Sequence, residues 1–475
     1  MRRLIPVILL TLLVIVSTAG CVKPEESTIY TEFDDSTFEL TMSVYAWEEA
    51  HLVRAAQMYE NKTGITVNIE NNYDKSGIES VFNVYFFLEP YPDNSLYIEQ
   101  ALASLMTGSG ADIYDVRYLE YQHLGKNGLL VDMSDWLEKD VDLTDDIVFR
   151  DILLSEKTDD GVFAIPIDFS MRTMYAYGED VPRLENKRMN WKEFFDEVAG
   201  LEIPTERFFG GLELSIFMER FNSRASFFVD EDGNNQNLDS EDMISLLEEC
   251  REWAETGLCA DSRYVDSYQA RWASYGTNSV GYYNTIAEGL CTLPEEYTRI
   301  SYGYYPNCYF APMLYDGDPV VTDGNARYPE INYWTGRYGV NAGSPNAEAA
   351  QDFLRFLLSP ETQEDMVYKE QLHLDRSGVH NGFLIPINRA AFRGMAERDL
   401  ERVRTWDREL VIDIPARVEE AEEKVDQVAY IIIEKPYQRT IIFEAAKEYF
   451  TGEISAEEAA KQMSDKVGLY LKELG

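Results

Sequence analysis

The chain has 475 residues, of which 45% are apolar and 13% aromatic, so it is long enough for two hydrophobic cores and too apolar for a disordered protein. Its 85 acidic and 42 basic residues give a net charge of −43, which argues against partners such as nucleic acid or anionic lipid head groups. Neutral or cationic solutes are the easier ligands for such a surface.

The first 21 residues have the order of a secretory signal peptide. Two arginines precede an apolar run over residues 4–16, and small residues lead to Cys21. The run is shorter than the roughly 18 apolar residues that a membrane helix needs. Residues 18–21, TAGC, resemble a bacterial lipobox in which threonine replaces the usual leucine. We therefore expect a signal peptide over 1–20, a lipid on Cys21, a linker over 21–37 and a protein anchored on the extracytoplasmic side of the cell membrane. The alternative is an ordinary secretory signal.

Cysteine and histidine usage predicts disulfides and no metal or cofactor. An even number of further cysteines in an exported chain suggests two disulfides, for which three pairings are possible. We favour the pairings that are close in sequence, Cys250–Cys259 and Cys291–Cys308. None of these cysteines has the CxxC spacing of a zinc or redox site, and the four histidines are scattered.

The first part of the chain alternates strand and helix patterns. Residues 38–46 alternate apolar and polar side chains as a half-buried strand does, and a helical face of Leu52, Ala56 and Tyr59 follows, ending at Gly64. The sequence ITVNIE alternates again. A second unit consists of the helix YIEQALASLMTGSG, the strand ADIYDV and the helix YLEYQHLGKNG. This order predicts an α/β lobe with a mainly parallel sheet.

Later segments indicate crossings between lobes and capped helices. GVFAIPIDFSMRTMYAY and INYWTGRYGVNA are extended, and Ser344-Pro345 predicts the start of a helix. Capping boxes begin at Asn190 and at Ser455, the second followed by an apolar helical face that includes Met463 and Val467. The acidic run RVEEAEEKVDQ is interpreted as a solvated helix face.

One acidic segment has an EF-hand-like spacing. Asp230, Asp232, Asn234 and Glu241 fall at positions 1, 3, 5 and 12 of such a loop, but Asn235 replaces the glycine that the sharp turn needs. A turn at Asp232-Gly233 and a helix start at Asp239 or Ser240 explain the same residues. We therefore expect a turn and no calcium site.

Seven segments, in order, resemble the extracellular solute-binding proteins of bacterial ABC importers, in the branch that includes maltose-binding protein. They are VYAWEEAHLVRAAQMYENKTGITVNIE, LASLMTGSGADIYDV with KNGLLVDMSDWL, FAIPIDFSMRTMYAY, VDEDGNNQNLDSEDMISLLEEC, SVGYYNTIAEGL, YGVNAGSPNAEAAQDFLRFLLSPETQ and FTGEISAEEAAKQMSDKVGLYLKEL. The resemblance implies a two-lobed α/β periplasmic-binding-protein-like fold of type II, in which discontinuous lobes are joined by crossover hinge segments. Lobe one would take residues 38–167 and 336–400, and lobe two residues 168–335 and 401–475. The aromatic insertion from Tyr73 to Tyr97 either borders the cleft or packs as an extra hairpin.

The resemblance also implies where a ligand would bind. Sugars need aromatic planes for their C–H faces and carboxylates or amides for their hydroxyl groups. The candidate contacts at strand ends and crossovers are Trp47, Glu48, Asp115, Arg117, Asp168, Tyr283, Asn284 and Trp334. For each of them a purely structural role is the alternative: Trp47 and Glu48 as a helix cap and a first-turn charge, Asp168 as a partner of Arg172, and Trp334 as a core residue.

The implied function is a monomeric, lipid-anchored receptor that captures a carbohydrate, in particular an oligosaccharide, and delivers it to an ABC transporter permease. No bond is broken in such a cycle. Two alternatives stay open: an extracellular glycan-cleaving enzyme, because carboxylate pairs and aromatics also make glycosidase sites, and a receptor for a peptide, polyamine or other cation, because of the negative charge.

Overall fold

The computed structural model describes most of the two terminal thirds of the chain and parts of the middle. The described residues are 39–45, 49–72, 95–169, 171–172, 174–177, 189–193, 196, 213–229, 237–256, 290–291, 308–311, 314–315, 320–322, 325–331, 336–372, 385–406, 413–426, 428–432 and 435–474. Among the helices of these residues, none is long and apolar enough to cross a membrane.

Sixteen short strands are described. In chain order, β1 to β16 are Leu40–Val44, Val67–Asn71, Ile113–Asp115, Ile165–Pro166, Asp168–Phe169, Met171–Arg172, Met174–Tyr177, Met189–Asn190, Leu290–Cys291, Cys308–Ala311, Leu314–Tyr315, Val320–Thr322, Asn325–Ile331, Arg337–Val340, Ile385–Pro386 and Val428–Ile432.

Fourteen α-helices and one π-helix accompany these strands in the described residues. In chain order, α1 to α12 are Glu49–Thr63, Ser95–Thr107, Tyr121–Lys126, Ser134–Lys139, Arg150–Leu153, Glu213–Ser223, Ala225–Phe228, Glu241–Glu255, Ala347–Leu357, Pro360–Leu372, Arg389–Trp406 and Ile414–Asp426. The π-helix Gln438–Ile442 then leads into α13, Phe443–Phe450, and α14 is Ala456–Leu474.

A five-stranded mixed sheet organises the first lobe, in the order β2-β1-β3-β14-β4. β1 is parallel to β2 and β3, whereas β14 is antiparallel to β3 and β4. Four of the five strands run in the same direction, but only two of the four pairings are parallel, because β14 comes from a distant part of the chain and lies between β3 and β4. The sheet is therefore mixed, where the alternation of strands and helices predicts a mainly parallel one. Leu40, Met42 and Val44 of β1 are buried on one face of the sheet, and Tyr45, just after β1, is buried on the other. Side chains of a strand alternate between the two faces, so this pattern is expected for a sheet that is covered on both faces.

Two apolar clusters cover the two faces of this sheet. The larger one contains Tyr59 of α1, Phe353 of α9 and Phe392 of α11. The smaller one contains Tyr97 and Leu105 of α2 and Tyr121 of α3. Helix α1 ends as expected at Gly64, whose φ of +79° lies in the left-handed region.

A separate apolar core belongs to the second lobe. It joins Phe217 and Phe221 of α6, Leu247 of α8, Phe450 of α13 and Met463 of α14. The buried face that the sequence predicts for the last helix is confirmed, since Ala459, Met463 and Val467 are fully buried. The capping box at Asn190 is also confirmed: the Glu193 N–H donates to Asn190 Oδ1 over 2.7 Å, and the Asn190 N–H donates to Glu193 Oε2 over 3.0 Å.

Some boundaries differ from the sequence-based expectations. The helix expected from Ser344 begins at Ala347, and Ser344 Oγ accepts the N–H of Asn346 just before it. By contrast, Ser240 is the N-cap of the helix that begins at Glu241, which confirms one of the two helix starts that the sequence predicts. Val418 of α12 packs in the first-lobe core, so the boundary between the cores lies later in the chain than the expected lobe boundary at residue 400. The division into lobes stays a prediction.

Candidate ligand-binding site at the carboxyl edge of the sheet

Four strands of the first-lobe sheet meet at one edge. β1 and β3 are parallel and both end there, and β14, antiparallel to β3, begins there. β4 is antiparallel to β14 and therefore ends at the same edge. Ligands of open α/β sheets bind beyond the carboxyl ends of the strands, so this edge is the candidate site.

Asp115 and Arg117 lie at the end of β3 and bind each other. Arg117 Nε donates to both carboxylate oxygens of Asp115, at 3.0 and 2.9 Å, and Arg117 Nη2 lies 2.8 Å from Asp115 Oδ2. Both side chains are almost fully buried. Their charges compensate each other within the protein, which favours the structural role over a ligand contact. A ligand role for the two residues stays a prediction.

Tyr97 of α2 binds the ends of two strands at this edge. Its hydroxyl donates to the carbonyl oxygens of Asp115, at 2.6 Å, and Ser43, at 3.2 Å, and so joins the ends of β3 and β1. Burial raises the pKa of Tyr97 well above its ordinary value, and the charge of Asp115 adds to the shift. Tyr97 closes the aromatic insertion of residues 73–97 and is a core residue, while residues 73–94 lie outside the described residues.

A second buried pair lies at the start of β14. Arg337 Nε donates to Glu156 Oε1, and Tyr121 Oη donates to Glu156 Oε2. All three side chains are buried, and burial together with the charge of Glu156 raises the pKa of Tyr121. Sequence reasoning missed this group because Glu156 and Arg337 are 181 positions apart and neither belongs to a periodic pattern.

The first crossover contains Asp168, in β5. This strand pairs antiparallel with β15, with Asp168 opposite Pro386. The preceding carbonyl, that of Ile167, accepts a hydrogen bond from Gln363 Nε2 over 2.5 Å, so the crossover is fixed to the first lobe. Asp168 is 1% exposed. Its role as a ligand contact stays a prediction, and the side chain of Arg172 lies outside the described residues.

Two hydrogen bonds join this edge to the second lobe. Tyr470 Oη of α14 donates to Glu120 Oε1 over 2.5 Å, and Lys435 Nζ donates to Gln122 Oε1. Burial raises the pKa of Tyr470, and the neighbouring charge of Glu120 raises it further. The edge is thus a boundary between the lobes as well as the end of a sheet.

Several predicted residues lie outside the described residues. They are the ligand candidates Trp47, Glu48, Tyr283, Asn284 and Trp334, the lipid site Cys21, and Cys259 with the side chains of Cys291 and Cys308. Cys250 lies in α8 and is buried. Both disulfide pairings therefore stay predictions.

No metal-ligating group of three or more His, Cys, Asp or Glu side chains occurs among the described residues. The loop of the EF-hand-like spacing, 230–236, lies outside them. At the sheet edge, Asp115 and Glu156 occur as carboxylate–guanidinium pairs with Arg117 and Arg337, whereas Glu120 accepts a hydrogen bond from Tyr470. Such pairs attract an ionic solute weakly and leave hydrogen bonding and apolar contact as the means of recognition beside them.

Comparisons with known proteins agree with this architecture. Residues 78–371, more than half of the chain, match the family model of the bacterial extracellular solute-binding proteins. No curated protein matches the sequence. Among solved structures, the chain is similar to the sugar-binding protein MalE of Xanthomonas citri, with 13% identity, a TM-score of 0.59 and coverage of 92% of this chain and 98% of that one.

Two further structures are similar over nearly their whole length. The substrate-binding protein Lmo0181 of Listeria monocytogenes, in complex with cycloalternan, has 14% identity and a TM-score of 0.54, and 91% of this chain and 99% of that one are covered. An extracellular solute-binding protein of Staphylococcus aureus, in complex with maltose, has 15% identity and a TM-score of 0.52, with 93% and 100% covered. At this identity the likeness shows the fold, which is two-lobed as the sequence predicts. The chain belongs to the family of bacterial extracellular solute-binding proteins.

Proposed function

We propose that this protein is a receptor that captures a neutral carbohydrate outside the cytoplasm and delivers it to the permease of an ABC transporter. The observation that carries the proposal is the charge compensation at the sheet edge, where Asp115 pairs with Arg117 and Glu156 with Arg337. A receptor for a neutral, hydroxyl-rich solute needs no uncompensated charge there. The similar structures carry cycloalternan and maltose, which supports the same class of solute.

The net charge of −43 is the reason to keep a cationic solute as the second candidate. That charge is a property of the whole surface, whereas selectivity depends on the groups that face the ligand. A glycan-cleaving enzyme has less support: the carboxylates of Asp115 and Glu156 are bound to arginines, so they do not form the pair of free carboxyl groups that flanks the scissile bond in a glycosidase.

A thermal-shift panel separates these candidates. The panel contains maltose, cycloalternan, a chitin oligosaccharide, a tripeptide and spermidine. A ligand at about 100 times its dissociation constant adds about 2.7 kcal/mol of stability, which corresponds to a rise in melting temperature of several degrees. We expect the rise with a carbohydrate. A rise with spermidine alone would assign a cationic solute, and new reducing ends after incubation with the glycans would indicate an enzyme.

We infer that Trp47, Glu48, Asp168, Tyr283, Asn284 and Trp334 contact the ligand, with Trp334 as the aromatic platform. Stacking of a sugar on an indole contributes about 1 kcal/mol. Trp334→Ala should therefore weaken the sugar that binds in the panel about fivefold while leaving the unfolding transition unchanged. Unchanged affinity would place the platform at another aromatic residue.

We also infer a lipid anchor at Cys21, in agreement with membership of an extracellular family. The expected result is a diacylglyceryl-modified Cys21 as the first residue of the native protein in mass spectrometry. A mature N-terminus at another position would remove the anchor.

A further inference from the structure

Three consecutive side chains at the sheet edge, Glu120, Tyr121 and Gln122, each bind a different part of the molecule. We propose that residues 120–122 position the second lobe over the sheet edge and so set the affinity for the solute without contacting it. The effect on affinity rests on the proposed function, whereas the positioning role does not.

The Glu120 contact joins a first-lobe carboxylate to the last helix. Met463 and Val467 fix α14 in the second-lobe core, and Tyr470, one turn further along the helix, donates its hydroxyl to Glu120 Oε1 over 2.5 Å. The rings of Tyr470 and Tyr437 lie 6.1 Å apart, and Tyr437 is a buried member of the second core. The Tyr470 hydroxyl is therefore held in place by the second lobe, independently of its hydrogen bond to Glu120.

The Gln122 contact is organised in the same way. Lys435 precedes the π-helix, and its N–H donates to Gln438 Oε1. Gln438 is fully buried and donates from Nε2 to Asn222 Oδ1 of α6 over 3.2 Å. Because these bonds fix the backbone at Lys435 to the second lobe, its ammonium group reaches Gln122 from a fixed position.

Tyr121 holds the segment itself in place. Its ring is buried in the cluster between α2 and the sheet, and its hydroxyl donates to Glu156, which also pairs with Arg337 at the start of β14. The segment therefore moves with the first-lobe sheet. The contacts of Glu120 and Gln122 therefore join two well-packed lobes. Their free energy stabilises one arrangement of the lobes rather than one position of a loop.

The size of the effect follows from the chemistry of the contacts. Each includes one ionic group and is partly exposed, so the loss of one should change the ratio of joined to separated lobes by about fivefold. If the solute contacts both lobes, its apparent affinity is proportional to the fraction of molecules that keep the joined arrangement.

The decisive experiment measures the distance between the lobes without any solute. Spin labels are placed by non-natural amino acids at Glu348 of α9 and Lys461 of α14, both exposed, so that native cysteines are untouched. Tyr470→Phe, Gln122→Ala and the double variant are compared with the unmodified protein. Glu473→Gln and Lys472→Met, at exposed positions beside Tyr470, are the matched controls.

We expect the double variant to broaden the distance distribution toward longer values, the single variants to do so less, and the controls to match the unmodified protein. Urea unfolding of the same variants shows whether both lobes stay folded. An unchanged distribution in the double variant would overturn the proposal. Because no solute is present, this outcome is independent of the carbohydrate panel. For a sugar that does bind, its dissociation constant should rise in Tyr470→Phe by at most about fivefold.

Discussion

Arg337 and Glu156 are charged residues placed where water cannot reach them. Their side chains are 2% and 1% exposed, and Tyr121 supplies a further hydrogen bond to the carboxylate. Removing one member of such a pair leaves a buried charge without compensation, which costs more free energy than the pair itself contributes.

Replacing the arginine should therefore be severe. We expect Arg337→Met to lower the free energy of unfolding by about 3–5 kcal/mol, since Glu156 then stays buried opposite an apolar side chain. The measurement is urea unfolding followed by circular dichroism. Lys139→Met is the control, because Lys139 and Asp135 form an exposed pair that contributes less than about 1 kcal/mol. Equal losses in the two variants would contradict the structural role of the buried pair.

The two ion pairs differ in how far the sequence could predict them. Asp115 and Arg117 are two positions apart at the end of a strand, so their place at the sheet edge could be read from the strand pattern, although their pairing with each other was not expected. Glu156 and Arg337 come from distant segments, and only the antiparallel insertion of β14 between β3 and β4 brings them together. Pairing between distant polar side chains has no periodic signature, which is why this group was missed.

Helix α3 shows how one small residue fixes an element. Its Gly125 faces the ring of Phe163: a Cβ at this position would lie 2.0 Å from Cγ of that ring. The close approach brings α3, and with it residues 120–122, onto the sheet. Gly394 of α11 is also helical, but a Cβ there would meet nothing closer than Arg398 Nη1 at 3.4 Å.

Alanine should consequently have opposite effects at the two glycines. Gly394→Ala should raise the free energy of unfolding by about 0.5–1 kcal/mol, because alanine loses less backbone entropy in a helix. Gly125→Ala should lower it by about 1–3 kcal/mol, since Phe163 must move in a packed core. Thermal and urea unfolding of both variants provide the measurement, and a stabilised Gly125→Ala would show that the helix does not pack closely on the sheet.

Elements with a strong period were predictable, and those that depend on distant contacts were not. The face of Leu52, Ala56 and Tyr59 and the reciprocal bonds of Asn190 and Glu193 follow from local spacing alone. The helix predicted over YLEYQHLGKNG is likewise present as α3, whereas the π-helix before α13 depends on what it packs against. The same reason explains why α12, interpreted from its acidic run as a solvated face, also buries Val418 and Val425 in the first core.

The molecule as a whole combines a large negative charge with buried or half-buried tyrosines near the junction of its lobes. Burial raises the pKa of Tyr97, Tyr121, Tyr437 and Tyr470, and nearby carboxylates add to each shift. In the unfolded chain these hydroxyls ionise near pH 10. A group whose pKa is raised on folding stabilises the folded state below its unfolded pKa, and this contribution is lost as the pH rises beyond it.

Stability should therefore be insensitive to tyrosine ionisation up to about pH 9.5 and fall steeply above pH 10, by about 1.4 kcal/mol per pH unit for each of these tyrosines. Urea midpoints between pH 8 and 11 measure the fall. Self-repulsion of the negative surface also grows in this range, but 0.5 M salt screens it while leaving the buried groups unaffected. At that salt concentration Tyr97→Phe and Tyr121→Phe should each make the dependence on pH shallower, whatever their effect on stability at neutral pH. If both variants keep the slope of the unmodified protein, the two hydroxyls ionise in the folded state as readily as in the unfolded chain, and the alkaline loss of stability must come from surface charge instead.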